Sequence, residues 1–412
     1  MPHYQLAILL GMTVALGPLA LDAYLPAFPA IAGDLGVSKA DVGLTLSAYV
    51  FALGLAQLIG GPLSDRYGRQ RVLLLGLAVF AAAAFMVAQA DSLNEMLAWR
   101  VVQGVGGAFC AVSVPAIVRD QCRGNEAARL FGLIGLVMFI APASAPALGS
   151  ALLAVSNWPA IYYALGGYAL LLGVLLHYRL FRRIPVRVPA RTPVQSLVTN
   201  YLLVLRHRVA MRFIALQTLA FSAMLVFITH ASFIYQGWFG FSSSAFAALF
   251  AANVAAMAVL NLVNRRLLLR FPSVHILRTA VATQHLAIAL LILLVLLDAP
   301  SWAVVACLMA VTGCMGAIVP NSLAGALDYF PNLGGTAAAL LGATQFTVAG
   351  AVSALSTRLA GEALLPIVLI MAVCSLGAVL LANGAPRAVQ RQAAMQATPQ
   401  GLDAPTPPST PR

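Results

Sequence analysis

Two apolar runs, each long enough to cross a bilayer, flank the segment Gly61-Pro62-Leu63-Ser64-Asp65-Arg66-Tyr67-Gly68-Arg69-Gln70-Arg71. The first extends from about Leu44 to Ile59, the second from about Val72 to Ala90. A membrane helix takes about 20 mostly apolar residues, because lipid offers the backbone no partners outside a helix or a closed barrel. The chain between two such runs therefore reads as a tight polar turn. It holds three arginines, one aspartate and two glycines. Asp65 and Arg69 are four residues apart, a spacing that sets both on one helix face.

Further apolar runs of this length fill the chain. Of its 412 residues, 61% are hydrophobic and 9% charged, against about 25% charged in soluble proteins. That is room for about twelve spans. Strand alternation is absent, so the expected class is an all-α membrane protein and not a β-barrel. A net charge of +12 suits a nucleic-acid binder, but the bases are sorted by topology. Of 24 Lys and Arg, only Lys39, Arg100 and Arg358 fall outside alternate loops and the tail. That is the positive-inside pattern. It excludes a nucleic-acid partner and places both termini in the cytoplasm. Cys110, Cys122, Cys307, Cys314 and Cys374 show no metal-ligand spacing, so free thiols and no metal are expected. The N-terminus lacks a basic leader, which predicts a retained first helix.

The spans are predicted at about 5–30, 44–61, 72–90, 95–118, 127–154, 158–180, 213–235, 244–264, 276–297, 302–327, 335–359 and 363–383. Residues 1–180 form an N-terminal six-helix half and 213–383 a C-terminal one. Between them, 181–212 reads as a basic, proline-bearing cytoplasmic linker with no binding role. The tail, 384–412, is rich in Pro, Gln, Ala and Thr and reads as disordered and cytoplasmic. In the second half, Arg265, Arg266 and Arg270 stand where Asp65 to Arg71 stand in the first, without the carboxylate.

Among 12 Asp and Glu, only Asp22 falls within a span. A charged carboxylate there costs about 2.5–3.5 kcal/mol on insertion scales. Arg100 is the complementary case, a base roughly five residues into the fourth span, or about 7–8 Å deep. The two heights match. Asp22 and Arg100 are expected to communicate across a cavity in the first half, directly or through Gln103 and water. Tyr24, Tyr49, Phe109, Met138 and Phe227 are the candidate apolar walls of a substrate cavity. Gln57, Gln217, Asn253, Asn261, Gln284, Asn321 and Gln345 read chiefly as hydrogen bonders between helices. His230 and His285 have no partner in sequence that suggests a proton relay.

Several motifs carry a family resemblance. Gly61, Leu63, Asp65, Arg66, Gly68 and Arg69 match the loop 2–3 signature of the major facilitator superfamily; Gln70 departs from it. Arg100, Gln103, Gly104 and Gly106 match its helix 4 signature, which is associated with proton coupling. The segment from Ala141 to Ser150 resembles the antiporter signature of helix 5, through Pro146 and Gly149, with Pro142 beside them. The Asp22–Pro29 and Leu327–Ala337 segments resemble the Bcr/CflA drug-resistance transporters.

The resemblance implies the two-half facilitator fold and a proton-coupled efflux antiporter of the bacterial inner membrane. The exported molecules would be small and amphipathic, antibiotics included; the alternative is a native amino acid, sugar or nucleoside. Protons are then the coupling ion, no cofactor is needed, and a monomer suffices. It further implies a cytoplasmic gate, in which Asp65 docks at the start of helix 11 near Gly334-Gly335-Thr336 and Arg69 pairs with Asp120. No nucleophile–base pair or phosphate loop suggests an enzyme.

Overall fold

In a computed structural model, residues 3–121, 124–182, 194–330 and 333–397 are described. Among the described residues, twelve helices are long and apolar enough to cross a membrane. The first six spans run from Tyr4–Leu35 to Pro159–Phe181, the next six from Arg208–Trp238 to Leu364–Asn383. The chain is a multi-pass membrane protein of two six-helix halves.

The first span is not one continuous helix. Helix α1 (His3–Asp22) stops at the carboxylate, a 3-10 turn follows at Leu25–Ala27, and α2 (Phe28–Leu35) completes the crossing. The cause is local. Pro26 has no N–H for the Asp22 carbonyl, and its ring crowds that carbonyl. The sequence expectation of an unbroken helix over 5–30 is corrected accordingly. Gly36, at φ 64°, caps α2. Ser38 and Asp41 then exchange hydrogen bonds in a capping box that starts α3 (Lys39–Tyr67).

The charged segment is also less of a turn than expected. Helix α3 continues through Asp65 and Arg66 to Tyr67, and α4 (Arg69–Val87) starts at Arg69. Only Gly68, at φ 93°, breaks the run. A single residue in left-handed space suffices to reverse the chain, and glycine takes that conformation without a Cβ penalty.

The remaining helices are α5 (Leu93–Gln121), α6 (Gly124–Val155) and α7 (Pro159–Leu175), which ends in a π-turn at Leu176–Phe181. Helix α8 (Val194–Arg206) follows, then α9 (Arg208–Ser232) with a π-turn at Phe233–Trp238. Next come α10 (Ser243–Leu267), α11 (Ser273–Leu296), α12 (Ser301–Leu327), α13 (Gly334–Ala360) and α14 (Leu364–Ala397).

Two departures concern the joining segments. The linker is not all surface loop: α8 lies inside it and buries Val204 completely. Its apolar residues were hidden by the flanking arginines and prolines. Helix α14 passes Asn383 and reaches Ala397, so 384–397 are helical. Alanine, glutamine, methionine and arginine are good helix formers, and of the tail's prolines only Pro386 falls within this stretch. Residues 398–412 lie outside the described residues. Arg278 also sits inside a helix, in the second turn of α11, and its Nε donates to the Ala382 carbonyl at 3.2 Å.

Within the first half, α5 packs on α3 and α4, and α1 on α6. Within the second, α11 and α10 pack on α12, and α9 on α14. The halves meet mainly where α3 lies along α13 and α6 along α10. The α3–α13 seam is close because glycines line it. A Cβ at Gly350 would stand 2.7 Å from the Phe51 amide nitrogen, and one at Gly54 would strike Thr347. Gly350→Ala should therefore destabilise the protein by about 1–3 kcal/mol through overpacking, read as a lower thermal midpoint in detergent. Gly167→Ala, in open space on α7, should be neutral or stabilising by about 0.4–1 kcal/mol. Equal midpoints for the two variants would refute the close seam.

Candidate coupling site

The broken first span creates the site. Where α1 ends, the Ala20 carbonyl loses its helical partner, the amide of Tyr24. Such orphan carbonyls carry the negative end of the helix dipole. Arg100, on α5, occupies that position and is fully buried. Its Nη1 donates to the Ala20 carbonyl at 3.1 Å and to Gln103 Oε1 at 2.7 Å. Its Nε donates to the Thr45 carbonyl at 3.3 Å, and Nη2 to the Tyr24 hydroxyl at 3.3 Å. Four of the five guanidinium N–H groups are thereby satisfied.

The rest of the cage is aromatic. The guanidinium carbon lies 4.6 Å from the ring centre of Tyr24, 4.5 Å from that of Tyr49 and 5.9 Å from that of Tyr162. Cation–π attraction of this kind strengthens when water is excluded. The hydroxyl network has one direction. Thr45 donates to the Val42 carbonyl at 2.7 Å, so Tyr24 donates to Thr45 Oγ1 at 2.9 Å and accepts from Arg100.

Asp22 is at the break itself, 6% exposed. It lies two residues from Ala20 and two from Tyr24, and Arg100 holds both. Yet among the described residues it forms no ion pair or hydrogen bond with Arg100 or any other group. The direct Asp22–Arg100 contact allowed for in the sequence reading is thus not made. The guanidinium spends its donors on main-chain carbonyls, Gln103 and Tyr24 instead. Gln103 Nε2 and the Tyr49 and Tyr162 hydroxyls are buried without partners. Among the described residues, Asp22 is the only buried carboxylate and Arg100 the only buried arginine or lysine.

The helix 4 glycines explain how the guanidinium reaches this point. A Cβ at Gly104 would collide with the Tyr49 carbonyl of α3, and one at Gly106 would lie 2.6 Å from the Phe80 amide of α4. Helix α5 therefore sits backbone to backbone between α3 and α4. On the other side of the break, a Cβ at Gly149 of α6 would collide with the Ala23 carbonyl. Pro142 and Pro146 lie within that same helix, and α6 packs along both α1 and the 3-10 turn.

The sequence model of the Major Facilitator Superfamily matches residues 10–354. The chain belongs to this superfamily. It is 29% identical over 371 residues to the bicyclomycin resistance protein homolog of Haemophilus influenzae, covering 90% of this chain and 93% of the relative. A chloramphenicol resistance protein of Pseudomonas aeruginosa is 37% identical over 168 residues, 40% of each chain. The crystal structure of a D-xylose-proton symporter superposes with a TM-score of 0.73 at 14% identity, over 93% of this chain and 96% of that one. These relatives agree with the Bcr/CflA resemblance of the motifs, and the protein is a transporter of the facilitator type.

The other motif residues of this transporter fall in two places. At the α3–α4 junction, Asp65 pairs with Arg69, and Arg69 Nε lies 3.4 Å from Asp120 Oδ2. Arg69 also donates to Ser64 at 3.2 Å. Among the described residues, Asp65 does not pair with the start of α13, so that half of the expected gate is not made. Arg69, just past the Gly68 break at the start of α4, holds the carboxylate. Instead Asp65 faces α8: burial, and then its negative charge, raise the pKa of the Tyr201 hydroxyl. Arg66 is exposed beside the Tyr67 ring, and Gly61 is in open space.

The five candidate cavity walls do not converge. Tyr24 and Tyr49 belong to the guanidinium cage. Phe109 packs between α3 and α4, 3.1 Å from where a Cβ of Gly60 would be. Phe227 packs edge-on against Tyr235. Met138 is the exposed one, at 45%. Apolar residues in a membrane bundle look alike in sequence, whether they face a neighbour, a cavity or lipid. The intramembrane amides mostly tie helices together: Gln217 to Gln345 at 2.6 Å, Asn321 to Asn264 at 2.7 Å, and Asn261 to the Gly316 carbonyl at 2.9 Å.

Tyr162 and Thr45 were missed by the sequence reading. The usable signal was the lone intramembrane arginine, which demanded ring faces and acceptors, but nothing said which ones. Ser47, Ser353 and Thr229 were missed too. Ser353 Oγ lies 2.8 Å from Ser47 Oγ across the seam between halves, and 2.6 Å from Thr229 Oγ1 within its own half.

The tyrosines of the cage make separable demands. Tyr24→Phe removes a hydroxyl bonded to both Arg100 and Thr45, and should cost about 1–3 kcal/mol. Tyr162→Phe keeps the ring and deletes a hydroxyl without a partner, so its thermal midpoint should stay near wild type. The reverse order of the two midpoints would contradict this geometry.

Proposed function

We propose that the protein is a proton-coupled efflux antiporter of a bacterial inner membrane, with both termini cytoplasmic. It would export small amphipathic organic molecules, antibiotics among them, by alternating access. The observation that carries the reading is Asp22: a buried carboxylate without a partner, at a helix break clamped by a permanent cation. Protonation there changes the charge of the site by one unit while Arg100 remains fixed. Gln103 Nε2, buried and unpaired, suits a water bridge toward that carboxylate.

The two halves, taken as 1–180 and 213–383, would rock about the α3–α13 seam. In this structure several polar contacts close the end that holds Asp34. Lys39 N donates to Glu362 at 3.1 Å, Ser150 to the Ser243 carbonyl at 3.0 Å, and Gln236 to the Pro26 carbonyl at 3.5 Å. At the opposite end Asp65 stays within its own half. This pattern supports an inward-facing state. A proton shifts the equilibrium only by as much as it favours one packing over the other. The break in the first span is suited to that role, because it touches α5, α6 and the π-turn after α9 together.

Everted vesicles loaded with protons on the inside should accumulate a labelled drug such as bicyclomycin against its gradient. Asp22→Asn should abolish the pH-driven accumulation and leave substrate binding intact. Retained accumulation in that variant would remove Asp22 from coupling. Transport of a metabolite panel without any drug would instead favour a native substrate.

Alternating access has its own test. Ser47→Cys with Ser353→Cys should form a disulfide on oxidation, stop transport, and regain it on reduction. Full transport by the cross-linked protein would exclude movement at that seam.

A further inference from the structure

Helix α8 has a face that the other described residues do not cover. It has 13 residues and is about 20 Å long, too short to cross a bilayer. One side is anchored: Val204 is fully buried, and Tyr201 packs into the same apolar cluster at the base of α9, α12 and α13. Val198, Leu202 and Leu205 are at i, i+4 and i+7, a single stripe beside the buried one. They are 53%, 45% and 46% exposed. Arg206 and Arg208 are exposed where this stripe ends.

The position of the helix identifies what covers the stripe. The membrane span of α9 begins at Arg208, directly after α8. The stripe therefore lies at the level where that span enters the bilayer. Apolar side chains on one face with arginines at the end fit a helix lying in the plane of the interface. Guanidinium groups at that depth are complementary to anionic headgroups.

We propose that α8 is an interfacial helix that seats Val198, Leu202 and Leu205 among acyl chains and binds anionic phospholipid through Arg206 and Arg208. The bound lipid would act on the seam between halves. His207, between these arginines, packs tilted against Tyr329 at 4.6 Å and edge-on against Phe330 at 5.3 Å, just ahead of α13. Tyr201 lies near Asp65, at the α3–α4 junction. A lipid that holds α8 thus holds the segment that touches both. The inference rests on the membrane embedding of the spans and is independent of proton coupling.

Two measurements on the full chain in nanodiscs test it. Spin labels at Leu202→Cys and Val198→Cys, in a Cys122→Ser background, should be accessible to oxygen and shielded from a water-soluble nickel chelate. Free access of the chelate to both labels would overturn the interfacial placement. Replacing phosphatidylcholine with phosphatidylglycerol should raise the thermal midpoint of the wild type, less so at high salt. Arg206→Gln with Arg208→Gln should lose most of that shift while keeping the midpoint in phosphatidylcholine. An equal shift in the double variant, or none in the wild type, would overturn the anionic-lipid assignment whatever the transport assays give.

Discussion

A buried guanidinium without a carboxylate partner organises the first half. Moving an ion from water into a low-dielectric interior costs several kcal/mol even after relaxation. The usual remedy is an opposing charge. Here the compensation is distributed over the free carbonyl at the end of α1, a second carbonyl on α3, the Gln103 amide, the Tyr24 hydroxyl and three ring faces. The acceptors and rings come from the first span, α3, α5 itself and α7. The cation therefore fixes the mutual positions of α1, α3, α5 and α7 while leaving the nearby carboxylate uncommitted.

That arrangement depends on close backbone approach. The glycines of α5 bring it against α3 and α4, and Gly149 brings α6 against the break. Without them the guanidinium would stop short of the Ala20 carbonyl. The same device recurs between halves, where Gly54 and Gly350 let α3 and α13 touch and the hydroxyls of Ser47, Ser353 and Thr229 meet. Hydroxyl contacts without charge suit a surface that must separate and rejoin. Breaking them costs less than breaking an ion pair in hydrocarbon.

Much of the fold was legible in the sequence, since bilayer thickness sets the length of an apolar run and the runs could be counted. The positions of Asp22 and Arg100 stood out for a related reason: ionisable groups in hydrocarbon are costly and therefore few. What misled was continuity. Apolar run length predicts one helix for the first span, but Pro26 withholds an N–H from the Asp22 carbonyl and breaks it. In the α3–α4 segment, charge suggested a loop where the seven residues from Gly61 to Tyr67 continue a helix. In the linker, arginines masked a short apolar stripe.

The sequence by itself determined the class, the number of crossings and the residues whose burial had to be compensated, because hydrophobic run length and charge placement are local properties. Tertiary structure alone decided the partners. Tyr24, Tyr49 and Tyr162 are far apart in the chain and meet only because three helices pack around α5. Whether Asp22 would bind Arg100 was likewise a matter of which acceptors met the guanidinium, and its donors went to the main-chain carbonyl freed at the end of α1, the Thr45 carbonyl, Gln103 and Tyr24. Such competition is settled by distances of a few tenths of an ångström between helices, which no linear pattern encodes.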